Sequence, residues 1–111
     1  MSDLATYVAD VKKYASSANE PAVAGLVKYL GIALRNRDSA LVSGTDPKEV
    51  ARVRDNFLKK KLALTDADSK LDAAVSAVVN KMKADTSKSR VTVYYLLAEH
   101  YKKLDLFVKP A

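Results

Sequence analysis

Residues 21–34 read PAVAGLVKYLGIAL. Wound as an α-helix, this stretch spreads Val23, Leu26, Val27, Leu30, Ile32 and Leu34 around most of its circumference. A helix apolar nearly all round is stable in water only when other elements surround it. The sequence therefore predicts a helical bundle with the Pro21–Leu34 helix at its centre. Asn19 can accept from the first free amides, and Pro21 suits the first turn, where its missing N–H is not needed. The helix is expected from Glu20 to about Arg35. Gly25 and Gly31 each disfavour a helix interior by about 1 kcal/mol against alanine, which points to close approach by a neighbouring helix. Lining a ligand is the functional alternative for both.

Four further segments carry helical signals. Leu4, Tyr7, Val8, Val11, Tyr14 and Ala15 recur at three- and four-residue steps, predicting a helix over Asp3–Ala15 capped by Ser2. RNRDSALVSGT reads as a loop with one short helical turn around Ser39–Val42. A third helix is expected from Pro47 to about Lys61, with Asp46 as cap and the Glu49 carboxylate reaching back to the cap. Its buried stripe is Val50, Val53, Phe57 and Leu58. A fourth is expected from Asp66 to about Lys83, capped by Thr65, with Leu71, Ala74, Val75, Val78 and Met82 inward. RVTVYY, residues 90–95, has the β-branched and aromatic character of a strand. Tyr94, Leu97, Tyr101 and Leu104 nevertheless fall at helical steps, and the sequence offers no second strand to pair with it. A helix from Arg90 to Leu104 is predicted, capped by Ser87 or Ser89, with Leu106 and Phe107 docking on the bundle. The fold class is all-α: one compact domain over residues 1–111 with about five helices.

The 111 residues contain no cysteine, which removes disulfides, thiolate metal sites and cysteine nucleophiles. Acidic residues stand near the N-terminus where a signal peptide would be basic. AVAGLVKYLGIAL is about thirteen residues long and interrupted by Lys28, too short to cross a bilayer. The expectation is a soluble, cytoplasmic protein with no membrane partner.

Catalytic and metal chemistry find little support. His100 is the one histidine, and its neighbour Glu99 does not face it on a helix. No nucleophile elbow is present. Asp66, Asp68 and Asp72 suggest calcium, but an EF-hand loop needs glycine at its sixth position and glutamate at its twelfth. Leu71 and Ala77 stand there. GTDPKE lacks the spacing of a phosphate loop. Residues 40–53 resemble a helix-turn-helix in Ala40, Gly44, Val50 and Val53. Ser39, Ser43 and Thr45 occupy positions such a unit buries, which argues against it. No cofactor is expected.

The net charge of +6 is uneven: residues 46–64 and 87–111 each carry +3. Lys48, Arg52, Lys59, Lys60 and Lys61 in the first segment, with Lys88 and Arg90 in the second, are the candidate contacts for a polyanion. Tyr94 and Tyr101 lie in helical phase with the core and Tyr95 toward its edge, so buried rings with bonded hydroxyls are expected rather than a stacking platform. The first functional expectation is a non-enzymatic binding or interaction module with a protein partner or a second copy of itself. The alternative is a salt-dependent binder of nucleic acid or another polyanion through basic segments 48–61 and 88–103.

AVAGLVKYLGIALRNRDSALVS, RVRDNFLKKKLALTD and SRVTVYYLLAEHYKKLDLF together resemble a family of small bacterial proteins catalogued as a domain of unknown function. The likeness spans nearly the whole chain. It implies a small all-helical bacterial protein and supplies no catalytic or binding residues to carry over.

Overall fold

The computed structural model describes residues 4–15, 18–31, 35, 41–42, 46–83 and 88–108. Among them run α1 (Leu4–Lys12), α2 (Glu20–Leu30) and α3 (Pro47–Arg52). α3 passes directly into a π-helix (Val53–Lys61). Then follow α4 (Asp68–Lys81), α5 (Arg90–His100) and a closing 3-10 turn (Leu104–Phe107). The expected all-α bundle of five helices is present. It carries one small addition: β1 (Leu41–Val42) pairs antiparallel with β2 (Lys88–Ser89).

The central helix is α5, not α2. Every residue from Arg90 to Ala98 is buried, and α1, α2 and α4 all pack against it. α2 buries Ala22, Val23, Leu26 and Leu30 but exposes Glu20, Pro21, Lys28 and Tyr29. Ile32 and Leu34 lie outside the described residues. Polar groups tolerate burial when bonded, and those of α5 are bonded internally. The Tyr95 hydroxyl accepts the Asn19 N–H at 2.8 Å, and the Thr92 hydroxyl donates to the Asp10 carboxylate. Tyr95, expected near the edge, is therefore fully inside, whereas Tyr101 is half-buried.

Local chemistry explains the element ends. The Asn19 side chain accepts the Ala22 N–H at 3.2 Å, with Pro21 in the first turn, as expected. Gly31 ends α2 at φ +32°, with open space where a side chain would lie; its role is backbone conformation, not close packing. Gly25 does serve close approach, but of the closing 3-10 turn rather than of a helix. A Cβ there would fall 1.9 Å from the Phe107 carbonyl oxygen. This is how Phe107 docks.

Asp46 caps α3 by accepting the Lys48 N–H at 2.9 Å. Glu49 does not reach back to the cap; it is buried and faces Arg90. The π winding beyond Arg52 has a packing reason. At about 4.4 residues per turn it gathers Val53, Phe57, Leu58 and Leu62 within roughly 80° of arc. An α-helix would scatter them over about 180°. All four are buried. Ala63, at φ 57°, closes this segment. α4 begins two residues later than expected, with Ala67 rather than Thr65 at the cap position and no side-chain cap bond.

Leu41 and Val42 are extended, not the expected helical turn; Ser39 lies outside the described residues, as do the candidate caps Ser2 and Ser87. A partner strand for the fifth segment thus exists, but it meets Lys88 and Ser89, just before Arg90 begins the helix. Ser89 holds the cap position without a cap bond, and its buried hydroxyl finds no hydrogen-bond partner.

Candidate functional site

The seven candidate anion contacts meet different fates. Arg90 is buried. Its Nη2 binds the Glu49 carboxylate and donates to the Leu41 carbonyl at 3.3 Å; its Nη1 donates to the Tyr94 hydroxyl at 3.0 Å. Burial disfavours its charge, but Tyr94 and Glu49 outweigh that and raise its pKa. Burial likewise pushes the Tyr94 hydroxyl up, against the opposing pull of Arg90. Arg52 is exposed yet donates to the other Glu49 oxygen at 2.7 Å. This constellation ties the start of α3 to the start of α5 and to β1.

Lys59 is held by carboxylates, at 2.5 Å from Asp68 and 3.6 Å from Asp55. The Asp68 bond raises its pKa. Arg54 completes the cluster, reaching Asp55 at 2.9 Å and Asp72 at 3.1 Å, and its bond to Asp55 holds that carboxyl below the ordinary range. Through Lys59 and Arg54, Asp68 and Asp72 fasten α4 to the π-helix. Lys48 and Lys60 are exposed, and Lys88 is half-buried.

Lys61 differs from all of these. Its Nζ lies 4.9 Å from the centre of the Tyr29 ring and 5.4 Å from that of Phe107. The two rings sit 5.9 Å apart, with Phe57 behind them at 6.3 and 5.9 Å. Beside them opens a groove of about 230 Å³ lined by Gly25, Lys28, Tyr29, Lys61, Leu106 and Phe107. No acidic side chain is among these. Tyr29 is 44% exposed and Leu106 49%; with Leu4 they are the exposed large apolar side chains among the described residues. Two of the three thus share one groove. Partial burial raises the Tyr29 hydroxyl pKa.

The chain builds this groove from three distant segments. The open side of α2 presents Lys28 and Tyr29. The π-helix ends at Lys61. Gly25 admits the Phe107 backbone, which carries the Phe107 ring onto Tyr29 and leaves Leu106 outward. Sequence reasoning picked out Lys61 but missed Tyr29 and Phe107 as its neighbours. The available signal was Gly25, whose partner proved to be residue 107.

Two other shallow grooves carry less chemistry. Lys81, Glu99 and His100 rim one between α4 and α5. Leu4, Val8 and Lys12 line another along α1. His100 is exposed and meets Tyr101 edge-on at 4.8 Å. No group of three metal-ligating side chains occurs among the described residues, and none of their helices is long and apolar enough to cross a membrane. Ser43, Gly44 and Thr45, the turn of the helix-turn-helix likeness, lie outside the described residues.

A family model described as a protein of unknown function (DUF2853) matches residues 6–105. No curated protein matches the chain.

Proposed function

The chain belongs to the DUF2853 family, and from that premise we propose a non-enzymatic binding module that docks an anionic partner in the groove between Tyr29, Lys61 and Phe107. One observation carries the reading: Lys61 sits over two aromatic rings in a groove without acidic lining. Exposed apolar side chains that cluster, rather than scatter, mark interaction surfaces. A cation held over ring faces is ordered before a partner arrives, which lowers the entropy lost on binding. Arg54, Lys59 and Arg90 already have carboxylates beside them, which favours the groove over the broader basic segments. The proposal places this role in a bacterial cytoplasm.

The test is a titration of isotope-labelled protein with anionic probes of matched charge, a single-stranded oligonucleotide and polyglutamate, followed by backbone amide shifts. The expected shifts centre on residues 25–31, 59–62 and 104–108 and shrink as salt rises. Shifts centred instead on Lys48, Arg52 and Lys88 would move the site to the basic segments, as a polyanion track. No shifts with either probe at low salt would remove the reading.

A further inference from the structure

We infer that the groove's occupant is a short acidic segment of another protein that inserts one apolar side chain between flanking carboxylates; this rests on the groove being the docking surface. The walls set the first requirement. Tyr29 and Leu106 offer apolar surface beside a groove of about 230 Å³ that the buried Phe107 also lines, room for an anchor rather than for a helix. The charges set the second. Lys28 and Lys61 line the groove, Lys60 is exposed next along the chain, and no acid lines it. A ligand with two or three carboxylates around its anchor matches that pattern.

A single-stranded nucleic acid matches it less well. Base stacking needs an open ring face. Lys61 stands over Tyr29 and Phe107, and Phe57 packs against both rings. A base would have to expel the ammonium from the rings, whereas a carboxylate meets it where it already sits. A phosphate chain also needs successive cations. The neighbouring Arg54 and Lys59 are engaged by Asp55, Asp68 and Asp72, so beyond Lys60 and Lys61 the track does not extend along the π-helix. An extended acidic peptide needs only the local pair.

The experiment uses a fluorescein-labelled decapeptide of aspartate and glutamate with one central phenylalanine, measured by anisotropy against the full chain. Its controls are the same peptide with serine in place of phenylalanine and a single-stranded oligonucleotide of equal charge. We expect Lys61→Glu to weaken peptide binding about tenfold. Tyr29→Ser, and loss of the peptide's phenylalanine, should each weaken it roughly fivefold. Lys61→Met, which keeps the stem and removes the charge, separates charge loss from disturbed packing; circular dichroism checks that each variant is folded. Equal binding of the peptide without its anchor would overturn the inference. So would oligonucleotide binding that depends on Tyr29 while the peptide fails, though the groove would then remain the docking surface. If no probe responds to Lys61 or Tyr29, inference and docking surface fall together.

Discussion

Arg90 and Lys61 are both cations set beside aromatic rings, and one line of rings joins them. The Arg90 guanidinium lies 5.6 Å from the centre of Tyr94. Tyr94 stacks on Phe57 at 3.9 Å, Phe57 lies 5.9 Å from Phe107, and Lys61 stands over Phe107. The two ends differ in what else each cation touches. Arg90 is buried with a carboxylate, a hydroxyl and a carbonyl around it. Lys61 has ring faces, open groove and no carboxylate partner among the described residues. A buried charge left without its counter-charge is strongly destabilising. A half-exposed charge held by rings alone keeps its capacity for an outside anion. The closed end reads as architecture; the open end is where the proposed docking is placed.

The strongest way to break this comparison is Arg90→Met. It leaves Glu49 buried with only the exposed Arg52 to answer it. Stranding a buried charge costs about 3–5 kcal/mol, and the urea unfolding midpoint should fall accordingly. Adding Glu49→Gln to Arg90→Met should recover part of that loss, since the stranded charge goes with it. A small effect of Arg90→Met alone would mean that the pair is solvated and that the two ends do not differ in kind.

The next effect is set by Gly25. Gly25→Ala drives a methyl group into the Phe107 backbone, which lies at 1.9 Å from the would-be Cβ. A carbonyl cannot rotate away as a side-chain tip can, so the 3-10 turn must shift. We expect a loss of roughly 1–3 kcal/mol, with faster amide exchange over residues 104–108. Because Phe107 forms one wall under Lys61, the groove's affinity for anions should fall as well. Gly31→Ala makes no contact within 4 Å and acts through the φ of +32° alone. The two glycines thus separate packing from conformation.

These glycines also show what was legible in the sequence. Helical periodicity located all five helices, and the caps at Asn19 and Asp46 were readable because each needs only residues within three positions. Which helix is central was not readable. α2 looks apolar all round, whereas α5 carries Arg90, Thr92, Tyr94 and Tyr95. Burial of Arg90, Thr92 and Tyr95 depends on Glu49, Asp10 and Asn19, partners 41 to 82 positions away. The same distance hid the groove. Lys61 stood out as part of a lysine run, but its ring neighbours come from residues 29 and 107. The π winding was hidden for another reason: Val53, Phe57 and Leu58 fit an α-helical stripe well enough until Leu62 is added.

Tyr94 allows the closed end to be read by pH. Burial raises its hydroxyl pKa in the folded chain above the ordinary value of about 10. The unfolded chain therefore loses this proton first as pH rises. Stability from the neutral hydroxyl is full below about pH 10 and is lost as pH climbs toward the folded pKa. Tyr94→Phe should cost about 1 kcal/mol at neutral pH by removing the bond from Arg90, and it should flatten the alkaline fall of the urea midpoint. Tyr29 and Tyr101 are shifted the same way by burial, so some fall should remain. An unchanged alkaline limb in Tyr94→Phe would show that the hydroxyl is hydrated.

Lys61→Met should have the smallest effect on folding and the clearest effect on binding. The substitution keeps an unbranched apolar stem against Tyr29 and Phe107 and removes only the ammonium. An exposed cation–ring contact contributes about 0.5–1 kcal/mol, partly replaced by the thioether against the same rings. The urea midpoint should therefore move little, while the salt-dependent part of anion binding at the groove disappears. A large destabilisation would make Lys61 a second structural cation like Arg90 and dissolve the contrast between the two ends. Intact folding with intact anion binding would preserve the contrast in packing but deny the open end its function. Only lost binding on an undisturbed fold assigns the two ends different work.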